Sequence, residues 1–92
     1  MRITKIRMRQ GCKYSQNVVE IDSVYISGNI YSPGYYKKEA VHDYLLKNPG
    51  TIQSGIAPWP KVIPAISKNG EKYIKTNANK YGFDNLLSLP RE

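Results

Sequence analysis

The chain has little of what most activities and addresses require. No apolar run exceeds a few residues, against the roughly 20 that a bilayer span needs, which excludes a transmembrane helix. The opening Met1-Arg2-Ile3-Thr4-Lys5 has no hydrophobic stretch behind its charges, so no secretory signal and a cytoplasmic address are expected. One cysteine, Cys12, cannot form an internal disulfide, and with one histidine, His42, it cannot assemble a conventional zinc site. A Gly-x-Ser-x-Gly nucleophile motif is missing. Gly28, Gly34, Gly50, Gly55 and Gly70 match neither phosphate-loop nor dinucleotide-loop spacing. These absences predict a non-enzymatic protein that takes no cofactor, no metal and no membrane partner.

What is present is basic. Fourteen Lys and Arg against seven Asp and Glu leave a net charge of +7 on 92 residues, with the 40% apolar content of a globular chain. A chain this short holds one hydrophobic core, so residues 1–92 are read as a single small domain.

Ile3 to Arg9 alternates, with Thr4, Ile6 and Met8 on one side and Lys5, Arg7 and Arg9 on the other, the two-residue period of a half-buried strand. Gln10 to Asn17 reads as a loop. Val18 to Ile26 is a second β-branched run whose apolar parity changes between Ile21 and Val24. It calls either for a bulge near Asp22-Ser23 or for cover on both faces. Ser27 to Tyr36, rich in Gly, Ser, Pro and Tyr, reads as a loop or an irregular strand extension. Lys37 to Asn48 predicts the helix, with Ala40, Val41, Tyr44 and Leu45 on its apolar face and His42 on its polar side, but no side-chain cap before it. Asn48-Pro49-Gly50 ends it. Lys61 to Ser67 and Glu71 to Thr76 flank Lys68-Asn69-Gly70, and Asn-Gly is a favoured type I′ hairpin centre. In that register Lys68 faces Glu71, Ile66 faces Tyr73 and Ala65 faces Ile74. Pro64, without an amide proton, marks an edge or a bulge. The expected fold is α+β: an antiparallel sheet of about four strands, made of the first two strands and the hairpin, with one helix on one face.

Lys72-Tyr73-Ile74-Lys75-Thr76-Asn77, followed by Asp84-Asn85-Leu86-Leu87-Ser88-Leu89-Pro90, resembles the C-terminal signature of small bacterial proteins classified as domain of unknown function 3892. Ile3-Thr4-Lys5-Ile6-Arg7 is similar to that family's opening strand, and Lys38-Glu39-Ala40-Val41 to the start of its helix. The resemblance implies a compact sheet-plus-helix domain and carries no activity, ligand or catalytic residue. In the tail, Leu86, Leu87 and Leu89 are expected to cover the sheet while Asp84 or Asn85 accepts backbone hydrogen bonds in a turn.

Two groups of residues are candidates for function. Lys5, Arg7 and Arg9 project from one strand face about 6.6 to 7 Å apart, with Lys13 and Tyr14 just beyond. A basic face carrying aromatic rings suits single-stranded nucleic acid, the cations displacing counterions and the rings stacking on bases; an acidic protein surface is the other anionic partner. The plainer reading is a solvated strand face. Tyr31, Tyr35, Tyr36 and Trp59 form the second group, suited to a protein-interaction module, an inhibitor or accessory factor of a phage or other mobile element. The plainer reading there is a core built from tyrosine, with Trp59 plugging its open end. His42 and Asp43, adjacent in sequence, point about 100° apart on a helix, which speaks against a catalytic pair. Glu20 and Asp22 are expected to pair with the basic first strand.

Overall fold

In the computed structural model, which describes residues 1–76 and 84–92, β1 (Arg2–Met8), β2 (Ile21–Ser27) and β3 (Gly34–Lys37) precede helix α1 (Lys38–Lys47). Then come β4 (Gln53–Ser54), β5 (Val62–Ile66) and β6 (Lys72–Thr76), with short 3-10 turns at Val18–Glu20 and Asn85–Ser88. The fold is α+β. A four-stranded sheet runs in the order β3-β2-β1-β4, antiparallel except where β4 lies parallel to β1, and β5 and β6 form a second, two-stranded sheet. Among the described residues no helix is long and apolar enough to cross a membrane.

The four strands are not all the expected ones, because the hairpin stands apart and β3 and β4 take its places. The reason lies in α1. Its buried residues are Lys38, Val41, His42 and Leu45, an i, i+3, i+4, i+7 stripe that packs mainly on β5 and β6 and also reaches β2 and β3. The helix therefore lies between two sheets. One core joins Ile3, Ile6, Val24 and Ile26 to Val41, Leu45, Val62, Ile74 and the tail residues Leu86, Leu87 and Leu89.

Two corrections concern α1. His42 is not on a solvated side: it is 2% exposed, as is Lys38, while Ala40 is exposed. Lys38 can be buried because its ammonium reaches the Val19 carbonyl and lies 2.5 Å from Glu71 Oε2, so the charge is paired as it leaves water. His42 and Asp43 also touch, Nδ1 to Oδ1 at 3.1 Å, since the exposed Asp43 side chain turns back to the ring. The helix has no side-chain N-cap hydrogen bond, as the residues before it suggested.

Both bulges are in the β1–β2 pair. The register passes from Arg7↔Ser23 to Met8↔Ile21, which leaves Asp22 as the extra residue and keeps Ile21, Val24 and Ile26 on the core face. It also passes from Ile3↔Ile26 to Lys5↔Tyr25, which leaves Thr4 as the extra residue in β1. Thr4 is therefore not part of a strictly alternating face. Val18–Glu20 belongs to a 3-10 turn instead of β2; Glu20 accepts from Cys12 and Ser15, and Asp22 pairs with Lys37 of β3, so neither forms a side-chain ion pair with the first strand's cations, although the Arg9 amide donates to the Glu20 carbonyl.

The hairpin register is one residue away from expectation: Ile66 faces Lys72, Ala65 faces Tyr73 and Pro64 faces Ile74. A type I′ turn needs positive φ at both central residues, and only Gly70, at 82°, has it. The loop instead spans Lys68, Asn69 and Gly70, closed by hydrogen bonds from Ser67 N–H to the Glu71 carbonyl and from Gly70 N–H to the Ser67 carbonyl. Ser67 Oγ accepts from the Asn69 and Glu71 amides and holds this wider turn. Pro64 lies on a strand with one partner, as an edge proline should.

Candidate functional site

The Thr4 bulge decides what the outer face of the sheet carries. Without it, Arg2 and Lys5, three positions apart, would point to opposite faces. With it, Arg2, Lys5 and Arg7 stand opposite Ser27, Tyr25 and Ser23, which share one face of β2, while Ile3 and Ile6 both turn to the core. Gly55 supports the bulge from the β4 side: its amide donates to the Ile3 carbonyl, and a Cβ there would lie 2.9 Å from that oxygen.

Each of the three cations lies over an aromatic ring. Arg2 stands 6.0 Å from the Trp59 ring centre, Lys5 5.1 Å from that of Tyr25 and Arg7 4.0 Å from that of Tyr35. Tyr25 and Tyr35 face each other across β2 and β3 and meet edge to face, centroids 5.3 Å apart. Trp59 comes from the loop before β5, where its φ of 54° is unusual for a bulky residue. A hydrogen bond from its amide to the Ile56 carbonyl closes that turn, and the residue is left 47% exposed. It does not plug the core.

Arg7 makes no ion pair among the described residues, while Lys5 pairs with Glu92 at 3.2 Å. Glu92 lies in the terminal segment that bridges β1 at Ile6. Its carboxyl is held below the usual range, by the Tyr35 phenol first and then by Lys5. Burial, then the Glu92 carboxylate, pushes the Tyr35 phenol up.

The other candidates are distributed differently. The Arg9 guanidinium is engaged by Glu71 and the Val19 carbonyl and shares no partner with Lys5 or Arg7. Lys13 and Tyr14 are exposed in the loop after β1. Tyr31 is fully exposed before β3, whereas Tyr36 turns to the inner side and lines an apolar cavity of about 190 Å³ with Ile26, Val41 and Ile52. Arg2 and Tyr25 had escaped the sequence reading. The conflicting parity of Ile3 and Ile6 was the signal that could have found Arg2. Among the described residues, no three His, Cys, Asp or Glu side chains are grouped to hold a metal ion.

A family model described as a protein of unknown function, DUF3892, matches residues 2–90, and the chain belongs to that family. The match spans the segments that carried the resemblance; Asn77 of the quoted signature lies outside the described residues. No curated protein and no solved structure matches the chain.

Proposed function

We propose that this member of the family is a non-enzymatic cytoplasmic binding module for an anionic macromolecule, single-stranded nucleic acid, which lies along the outer face of β1, β2 and β3. The observation that carries the reading is the row Arg2, Lys5, Arg7, each cation on its own ring. Neighbours in the row stand two β2 positions apart, about 6.6 to 7 Å, so an extended strand can meet them with successive phosphates. Rings and cations read no base edge. Binding is then sequence-tolerant and driven by counterion release.

The aromatic group that would serve a protein partner instead is divided. Tyr35 and Trp59 stand with the cations on the outer face, Tyr36 lines the inner cavity, and Tyr31 lies in the preceding loop. No single surface gathers them, and this favours a partner held by the cation row over a protein held by these aromatics.

The test is a salt series of binding to a labelled 20-nucleotide oligothymidylate, read by fluorescence anisotropy. Affinity should fall with a log–log slope of about −0.7 per neutralised phosphate. The triple variant R2A/K5A/R7A should flatten that slope by about two units. An unchanged slope in the folded triple variant overturns the reading. So does absence of binding at low salt together with a nuclease-resistant protein partner recovered from extract.

A further inference from the structure

We propose that the Glu92 carboxylate occupies, from within the chain, the position that a phosphate of the bound strand takes, so that Glu92 must swing away for the strand to seat. The inference rests on the nucleic-acid reading and adds to it an anion subsite with an internal competitor.

The backbone puts the carboxylate there. Ile6 N–H donates to the Pro90 carbonyl at 2.9 Å and Glu92 N–H donates to the Ile6 carbonyl at 3.0 Å, so residues 90–92 lie along β1. Arg91, paired opposite Ile6, reaches the Lys13, Ser15 and Leu87 carbonyls and anchors the segment. Side chains alternate across a strand, so Glu92 emerges on the outer face, beside Lys5.

The surroundings suit an anion better than they suit this acid alone. Lys5 pairs with Glu92, and Arg7, one step along the face, has no ion pair among the described residues. The Tyr35 hydroxyl is buried close enough to Glu92 to hold its carboxyl down, yet no partner lies within full hydrogen-bond geometry among the described residues. An ammonium, a guanidinium edge and a phenol are the donors that a phosphate diester oxygen takes, and a carboxylate offers them the same charge and acceptor geometry. The Glu92 side chain is 46% exposed and covers no core residue's place, so it can leave without unfolding the domain.

The experiment compares wild type with Glu92→Gln, both checked for native circular dichroism, on the same oligothymidylate. Gln keeps the size and removes the competing charge. The variant should bind about two- to fivefold tighter at low salt, the range expected for release of one exposed ion pair. Its salt slope should be steeper than that of wild type, because in wild type salt also weakens the competing Lys5–Glu92 pair. Equal or weaker binding by the variant, with wild type binding normally, overturns the internal-competitor inference and leaves the nucleic-acid reading standing. If neither protein binds, the nucleic-acid reading fails. Sodium pyrophosphate then judges the subsite by itself: larger shifts of the Lys5 and Tyr35 NMR signals in Glu92→Gln than in wild type support it, and equal or absent shifts overturn it.

Discussion

The Arg7 guanidinium carbon lies 4.0 Å from the centre of the Tyr35 ring although β1 and β3 are not neighbours, since β2 runs between them. Ser23 allows it. This small residue of β2 stands opposite both Arg7 and Lys37 and is only 4% exposed, so the guanidinium passes over it to the ring. The guanidinium lies over the ring, and its planar fork offers a ligand N–H donors in an arrangement an ammonium cannot copy.

Arg7→Lys is therefore expected to weaken oligonucleotide binding about two- to fivefold although the charge is kept, since a lysine lacks the planar fork that offers a phosphate two N–H donors. Anisotropy titration at one salt concentration checks this. Equal affinity for Arg7→Lys and wild type would mean that only charge matters at this position.

Gly55→Ala should destabilise the domain by about 1–3 kcal/mol, the usual cost of forcing atoms into a packed site. The added methyl would meet the Ile3 carbonyl oxygen at 2.9 Å and Thr4 Cγ2 at 3.3 Å, and the β1 backbone has to give way. Urea unfolding measures the loss. Because the same residues form the bulge that brings Arg2 beside Lys5, binding should weaken as well.

Asp84→Ala should cost about 1–3 kcal/mol, the range for a lost cap and buried polar groups left unsatisfied. Asp84 accepts from the Thr76 amide at 2.9 Å, from the Thr76 hydroxyl at 2.7 Å and from the Leu86 amide at 3.0 Å, joining β6 to the tail turn. Thermal unfolding would show the loss; a variant as stable as wild type would mean that water replaces all three bonds.

Glu71 links three segments of the chain, since both Lys38 and Arg9 engage it. Lys38 first, with Arg9 also contributing, holds its carboxyl below the usual carboxylate range. A depressed folded-state pKa adds stability above the unfolded value of about 4.3 and loses it as pH falls through the folded value. Glu71→Gln should accordingly be less stable than wild type at pH 7, and the gap should close as pH drops below about 4. Urea midpoints at several pH values test this, and a gap independent of pH would rule out the charge as its source.

Much of the local structure was legible because short-range periodicity is a property of neighbouring residues. Alternation through Ile3 to Arg9 announced β1 and put Lys5 and Arg7 on one face, and the parity change between Ile21 and Val24 demanded the bulge found at Asp22. The tail leucines and the Asp84 turn followed from residue type alone, and they are buried and capped as that implied. Asn-Gly was compatible with more than one turn. The Ser67 side chain and the backbone at Asn69 selected the three-residue loop.

Tertiary structure decided what distant segments bring to one another. Lys38 and His42 look like surface residues in sequence, and burying Lys38 became possible only because Glu71 and the Val19 carbonyl arrive from elsewhere in the chain. The row on the outer face has the same origin. Its cations come from β1, but its rings come from β2, β3 and the loop before β5, and its acid from the segment paired with Ile6. Periodicity along the chain says which way a side chain points relative to its neighbours, but the strand order β3-β2-β1-β4 and its two bulges determine which rings a cation meets.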